Sequence, residues 1–442
     1  MRILLTTPVS TTQYDYFRDL ASRGVKLPVR SFVPTLALDY LKASLEDDNE
    51  VTLLRPAAFR ALRKQLDHCD MVGITSTTAN YLDALETAKR VKEARPDKLV
   101  VMGGPHVSIQ DVETLEAGNV DVVVRGEGEL TMQKLARSKP FEEIEGISYK
   151  REGKIVRNPS QQAPIDLHSL PFPRSDGWTR FLWFRRSFGA VVSSRGCPHN
   201  CSFCTTSALQ GRKWRARSAS NITKELEQFT ENPYVFFMDD NFTMDPERVE
   251  TLCDLIQERG FSFRWACLSR ADSIASNEKL LRKMFDAGLI ALLIGVESAN
   301  PESLRDAHKR QTQDVIRNAF GLIKQYPIIT QATMIFGFDS DTLESMDENI
   351  EFLLELDPTV IQASVLTPFP GTEIYSKYMA EDRIFTNDWS KYDVCHCVFQ
   401  PKNFSPEQLE DKVSECYRRF YGSSRKRKER LRGLSFFLKG KL

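Results

Sequence analysis

The sequence has no surplus of charge of either sign. Its 442 residues hold 60 Lys and Arg against 60 Asp and Glu, a formal net charge of +0. No overall electrostatic pull toward nucleic acid follows from that balance, and no nucleic-acid partner is expected. The chain also lacks an apolar run long enough to span a bilayer. Met1-Arg2-Ile3-Leu4-Leu5 runs straight into a strand, with no long apolar segment or small-residue cleavage site after it, so no export signal is read. A disulfide framework is missing too. The one tight group of cysteines has three members, an odd number. These absences place the expected chain in a reducing compartment, the cytoplasm. The hydrophobic content of 41% and charged content of 27% are ordinary for a globular protein. The length predicts two or three domains.

The chain is organised around Arg195-Gly196-Cys197-Pro198-His199-Asn200-Cys201-Ser202-Phe203-Cys204. The apolar run Ala190–Ser194 before it reads as a buried strand ending at Gly196, so the thiols leave the end of a strand. Open α/β folds and barrels place their chemistry there. Three thiolates on one loop can hold three irons of a 4Fe–4S cluster, which leaves the fourth iron open to a small molecule. A structural zinc site would need a fourth ligand. Only His199, inside the same short loop, offers one, and the geometry is poor.

The Cys-x-x-x-Cys-x-x-Cys spacing, with Phe203 before the last cysteine, resembles the signature of the radical S-adenosylmethionine (SAM) family. The resemblance implies a 4Fe–4S cluster on Cys197, Cys201 and Cys204. It also implies SAM bound at the open iron and cleaved to a 5′-deoxyadenosyl radical, with an external reductant such as flavodoxin or ferredoxin.

Residues 1–140 alternate strands and helices. Strands are expected at Arg2–Thr6, Glu50–Leu54, Met71–Thr75, Leu99–Met102 and Val120–Val124. Helices are expected from Pro34 and over Ala57–Leu66 and Ala79–Ala94. This pattern means a parallel, doubly wound Rossmann-like sheet, which binds ligands beyond the carboxyl ends of its strands. Small and polar residues gather at that edge: Thr75-Ser76-Thr77-Thr78, Gly103-Gly104-Pro105-His106 and Arg125-Gly126-Glu127-Gly128. Ordinary βα turns would also be rich in glycine. Standing before the three-cysteine loop, however, these phrases resemble the cobalamin-binding domain of B12-dependent radical SAM enzymes. The resemblance implies a cobalamin pocket that includes Thr75, Ser76, Thr77, Gly103, Gly104, Pro105, His106, Arg125, Gly126 and Glu127. Cobalamin domains with a histidine lower ligand carry Asp-x-His-x-x-Gly after the first strand. Here Thr6-Thr7-Pro8-Val9-Ser10-Thr11-Thr12 has no histidine, which implies a corrinoid without that ligand, or a domain that binds none.

Residues 141–188 read as a linker. It begins with a hairpin turning at Glu152-Gly153. A proline-fixed connector follows, then an aromatic cluster of Trp178, Phe181, Leu182, Trp183 and Phe184 that suits packing between domains.

Residues 189–380 repeat strand and helix six times, with strands near 190–194, 234–238, 262–267, 290–295, 330–336 and 359–366. Six such units match the partial (β/α)6 barrel that the resemblance implies. Polar residues close several strand ends. By resemblance the SAM site includes Phe203, Asp239, Asp240, Arg270, Glu297, Ser298, Phe338 and Pro368. A carboxylate at 239–240 suits the SAM ammonium. Arg270 suits its carboxylate, and Glu297 the ribose hydroxyls.

Residues 381–442 form an α-rich cap and a basic tail. Tyr392, Cys395 and Cys397 are candidates for a substrate-facing donor, and equally for packing of the cap. The helix Pro406–Arg419 is capped by Ser405. The tail Ser423–Leu442 mixes Lys and Arg with Leu and Phe. It reads either as a peripheral membrane contact or as a solvated helix packed on the barrel.

Taken with the resemblance, the expected activity is methylation of an unactivated carbon in a small-molecule or lipid-like substrate. Radical oxidation or cyclisation of a tetrapyrrole or lipid is the alternative enzyme, and a corrinoid or iron–sulfur sensor the alternative without catalysis. A tRNA methylthiotransferase would carry three more cysteines in the first domain, which here has Cys69 alone.

Overall fold

The computed structural model describes residues 1–8, 36–54, 59–161, 164–173, 188–230 and 234–422. The expected helix start at Pro34, the aromatic cluster at 178–184 and the basic tail lie outside these residues.

The first sheet has seven strands: β1 (Arg2–Thr6), β2 (Glu50–Leu54), β3 (Met71–Thr75), β4 (Leu99–Gly103), β5 (Val122–Val124), β6 (Ile147–Arg151) and β7 (Lys154–Arg157). Their order is β2-β1-β3-β4-β5-β6-β7. The first five are parallel. They are rich in Val and Leu, and in β1, β3, β4 and β5 both sets of side chains are buried, as a parallel sheet covered on both faces requires. The order reverses between β1 and β3, and such a switch point opens a crevice beyond the carboxyl ends of the strands. The hairpin expected in the linker instead belongs to this sheet. β6 pairs antiparallel with β5, and β7 with β6. Arg125 fixes it there, donating to the carbonyls of Ile147 (3.2 Å) and Asn158 and lying 3.7 Å from the buried Asp111 carboxylate.

The second sheet has six parallel strands: β8 (Phe188–Val191), β11 (Tyr234–Phe237), β12 (Arg264–Arg270), β13 (Leu289–Glu297), β14 (Ile329–Phe336) and β15 (Val360–Val365). They neighbour one another in strict chain order, and β8 and β15 do not pair with each other. This is an open βα barrel. Along β14 fully buried residues alternate with half-buried ones. The buried set packs under helices, while Gln331, Thr333 and Ile335 share the other face. The expected first strand ends early. Ser193 and Ser194 donate their backbone N–H groups to Asp239 (2.8 and 2.6 Å) rather than extending the ladder. The chain then forms a small antiparallel ribbon, β9 (Ser194–Arg195) with β10 (Arg215–Ala216).

The free edge of β15 is covered by the helix Pro406–Tyr421, which Ser405 and Gln408 cap reciprocally. The Tyr417 hydroxyl accepts from Ala363 N and donates to its carbonyl, both at 3.0 Å, and the Tyr421 hydroxyl accepts from Ile361 N at 3.1 Å. The segment before this helix reaches back to the first sheet. Trp389, Tyr392 and Val398 are part of the core under β1, β3 and β4. No helix among the described residues is long and apolar enough to cross a membrane.

Candidate active site

The three-cysteine loop is held from four directions. Gly196 has φ +84°, and a Cβ there would lie 1.9 Å from the Lys213 carbonyl, so no other residue fits. Ser202 donates its N–H to Ala307 O (3.1 Å) and its hydroxyl to Asp306 O (2.7 Å), and its carbonyl accepts from Ile374 N (3.1 Å). The Ser207 hydroxyl donates to His199 O at 2.8 Å. The Phe203 ring stands edge-on to Phe338, centroids 6.2 Å apart.

The thiols of Cys197, Cys201 and Cys204 are free and half-buried. Burial pushes Cys197 and Cys201 up, and each also feels Cys204 as a neighbouring charge. Bound iron would reverse that, because metal ligation favours the thiolate. Three thiols on one rigid loop, with Arg270 and Lys309 close enough to lower both thiol pKa values between them, fit an anionic iron–sulfur group.

The strand ends of the barrel sort the expected SAM residues into two kinds. Asp239 is fully buried. Its carboxylate takes the Ser193 and Ser194 amides and the Ser193 hydroxyl (2.5 Å), so it braces the cluster loop and reaches no ligand. Asp240, its neighbour, turns the other way. Part of its surface meets solvent, at the rim of a recess by Thr206 and Cys197. The protein crowded around it, with the Asp239 charge, pushes its carboxyl up to about 6. Ser298 is likewise structural: its hydroxyl bonds the buried Asn349 (3.1 Å) and accepts from Asn300 N (3.0 Å). Phe338 and Pro368 are buried, Phe338 against Phe203.

Arg270 and Glu297 do lie together near the cluster loop. Arg270 Nε and Nη2 grip Asp272, and Nη2 also donates to Lys309 O at 2.7 Å. Glu297 sits at φ +67° with its carboxylate between Lys309 Nζ (2.7 Å) and Thr333 Oγ1 (2.9 Å). Gly295 allows this. A Cβ there would lie 2.4 Å from the Glu297 carboxylate and 2.6 Å from Lys309 Nζ. Nothing in the sequence marks Lys309, because a buried lysine in a short loop has no local signal. The paired Glu297 and the approach to Cys201 show its place only in three dimensions.

At the first sheet's edge, Thr77, Pro105 and Gly126 are exposed and Thr75 is half-buried. Gly104 has φ +110°, and a Cβ there would lie 2.4 Å from Ser76 O. The Ser76 hydroxyl is enclosed at this edge without a hydrogen-bond partner. Glycine and hydroxyls presented around a switch point fit the edge of a large planar ligand. His106 does not join them. Its Nδ1 bonds Thr78 Oγ1 at 3.2 Å, its ring lies between Tyr81 and Trp389, and burial lowers its pKa to about 4. Arg125 holds the hairpin instead, and Glu127 faces the barrel domain, pairing with Arg195 and Arg215.

Of the C-terminal candidates, Tyr392 is fully buried and donates to Thr386 O. Cys397 is also buried, against Phe399 O, and its thiol is pushed up to about 12. Cys395 is half-buried beside Asp393 and Val394 (φ +65°), where Val394 O accepts from Val365 N at the end of β15. His396 Nδ1 pairs with Asp393 at 2.9 Å in the same turn.

The two ligand edges face one another. Ile109, just after Gly104-Pro105-His106, meets Ala208 of the helix Thr205–Gln210 and Gly371 of the loop after β15. A Cβ at Gly371 would lie 2.6 Å from Ile109 and 3.4 Å from Ala208.

Residues 191–353 match the radical SAM superfamily model, and residues 22–136 match the B12 binding domain model. The chain is 30% identical over 439 residues to the uncharacterized methyltransferase PH0819 of Pyrococcus horikoshii, covering 95% of this chain and 92% of that protein. It is 26% identical to the anaerobic magnesium-protoporphyrin IX monomethyl ester cyclase of Rubrivivax gelatinosus, over 89% of this chain and 72% of that one. The same fold occurs in the radical SAM methyltransferase TsrM of Kitasatospora setae, solved with cobalamin and an iron–sulfur cluster: TM-score 0.70, 19% identity, 95% of this chain and 81% of that one. A barrel with a three-cysteine loop, joined to a B12-binding sheet, defines a radical SAM enzyme of the cobalamin-binding class. The chain belongs to the cobalamin-dependent radical SAM methyltransferase family, whose cofactors are SAM, a 4Fe–4S cluster and cobalamin.

Proposed function

We propose that this enzyme methylates an unactivated carbon of a hydrophobic small molecule, tetrapyrrole-like or lipid-like, held between the two facing edges. The meeting of Ile109, Ala208 and Gly371 carries this reading, because it brings the B12-binding edge and the cluster loop to one place. Bound there, the cluster with SAM supplies a carbon-centred radical for hydrogen abstraction, and the corrinoid supplies a methyl group.

The protein's own residues position and shield. Cys197, Cys201 and Cys204 hold three irons. Asp240, ionised above pH about 6, takes the SAM ammonium. Arg270, oriented by Asp272 and Lys309, faces the SAM carboxylate, and Glu297 takes a ribose hydroxyl. Thr75, Thr77, Gly104 and Gly126 receive the corrinoid edge. Cys395 and the His396–Asp393 pair stand at the barrel mouth, where a proton would be delivered or taken. Holding several reactive centres in line is the main service a protein gives such chemistry.

A low-potential flavodoxin or ferredoxin would supply electrons. The free thiols favour a reducing compartment, the cytoplasm, as the enzyme's place of work. The basic tail is read as a contact with an anionic bilayer that presents the substrate, which flotation with anionic vesicles would test.

The experiment uses protein purified without oxygen and loaded with iron, sulfide and hydroxocobalamin. It is incubated with reductant, SAM carrying a deuterated methyl group, and lipid and tetrapyrrole extracts. Label transferred to a product, with 5′-deoxyadenosine formed, supports methylation. Deoxyadenosine with an oxidised, unlabelled product supports the cyclase-type reaction, which the likeness to the ester cyclase favours as the second reading. Neither would overturn both.

A further inference from the structure

The phrase Arg125-Gly126-Glu127-Gly128-Glu129 closes β5 at the B12-binding edge, yet its two carboxylates leave that edge. Glu127 Oε1 accepts from Arg195 Nη1 and from Arg215 Nη2, both at 2.8 Å. Glu129 Oε1 accepts from Arg195 Nη2 at 2.6 Å. All four side chains are largely buried, between 7 and 19% exposed. The connector joins them: Glu127 Oε2 accepts from Ile165 N (3.2 Å), and Arg215 Nη1 donates to Ile165 O (2.6 Å). The Arg195 guanidinium also lies over the Tyr40 ring, 5.3 Å from its centroid.

Arg195 and Arg215 stand directly opposite each other in the β9–β10 ribbon. Like charges in that position repel. The ribbon that carries the cluster loop is therefore at ease only when the first domain supplies its carboxylates. A buried ion pair contributes little net stability compared with apolar packing, while breaking one partner away leaves a costly unpaired charge. The backbone path is short at both ends. Exposed Gly126 adjoins Glu127, and Arg195 is separated from Cys197 only by Gly196, where the Lys213 carbonyl leaves no room for a side chain.

We propose that Glu127, Glu129, Arg195 and Arg215 are positioning residues: a buried ionic node through which the B12-binding edge sets where the cluster loop stands. The proposal rests on the reading that both cofactors bind this chain. The node touches neither cofactor. It acts through Gly126 on one side and Cys197 on the other.

The test measures the magnetic interaction between cob(II)alamin and the reduced cluster by pulsed electron paramagnetic resonance of the loaded enzyme. Variants are Glu127→Gln, Arg195→Gln and the milder Arg195→Lys, whose point charge cannot bridge two carboxylates. A second readout, hydrogen exchange of the 194–216 ribbon in the cofactor-free protein, needs no cluster. The expected result is iron and cobalt contents equal to wild type, a shifted and broadened inter-spin distance, and faster exchange in the ribbon. Arg195→Lys should be intermediate. Should the glutamine variants fail to fold, the lysine variant and its exchange rates decide alone. An unchanged distance and unchanged exchange, with both cofactors bound, would overturn the node while leaving the methylase reading intact. Wild-type enzyme that takes up iron but no cobalt would overturn the reading first, and the node with it.

Discussion

The two ligand edges are built on the same plan, parallel strands ending in polar loops, but they treat charge in opposite ways. The barrel edge keeps its charges at home. Arg270 pairs with Asp272, Glu297 with Lys309, and Asp239 with the Ser193 and Ser194 amides at the end of the neighbouring barrel strand. The first sheet's edge gives its charges away. Arg125 turns to the hairpin, and Glu127 and Glu129 turn to the barrel domain, leaving glycine and hydroxyls behind. The difference suits what each edge is proposed to receive. SAM carries an ammonium and a carboxylate that need placed partners, whereas a corrin presents a broad rim for which backbone access matters more.

This comparison can be broken most completely at the cluster. Cys201→Ala is expected to abolish iron binding and reduce SAM cleavage to background while cobalamin uptake stays at wild type. Iron and cobalt assays on the same sample check it. Next comes the barrel's internal pairing. Lys309→Met strands the Glu297 carboxylate and should cost about 3–5 kcal/mol, read by denaturant unfolding. Adding Glu297→Gln should recover most of that stability but not SAM affinity. At the other edge, Gly104→Val forces a side chain into left-handed backbone and against Ser76. It should cost roughly 1–3 kcal/mol in strain alone and lose cobalamin while iron is kept.

The smallest effect sharpens the contrast at the barrel rim, where Asp339 pairs with Lys377, Arg383 and Lys402. Burial would raise its pKa, but hydrogen bonds from those three cations hold it well below the usual carboxylate range. A depressed pKa gives stability that is present above the unfolded value, near pH 4, and lost as pH falls toward the folded value. Asp339→Asn should therefore destabilise by on the order of 2 kcal/mol at neutral pH and flatten the acid limb of unfolding below pH about 4.

The strands were legible because each is a short apolar run, and the cluster loop because three thiols at that spacing have few other uses. The helix at Pro406 announced itself through Ser405. Partners far apart in sequence were not legible. Glu127 reads as a pocket residue until Arg195, sixty-eight residues on, is seen against it. Asp239 and Asp240 are adjacent, and alternation sends one inward and one outward, but sequence does not say which. His106 is a similar case. A histidine in a loop after a strand suits a ligand site, and only the approach of Trp389 shows that the ring is packed away.

The hydroxyls of Tyr417 and Tyr421, laid along β15, have a consequence for how such a barrel survives unclosed. A barrel left open for a bulky guest keeps a strand with unpaired backbone groups, and such strands recruit other chains. Two phenols take Ile361 N and both backbone groups of Ala363 without adding a strand, which blocks the middle of this edge to a pairing chain. A chain shortened before Pro406 is expected to self-associate through β15, which light scattering at matched concentration would check.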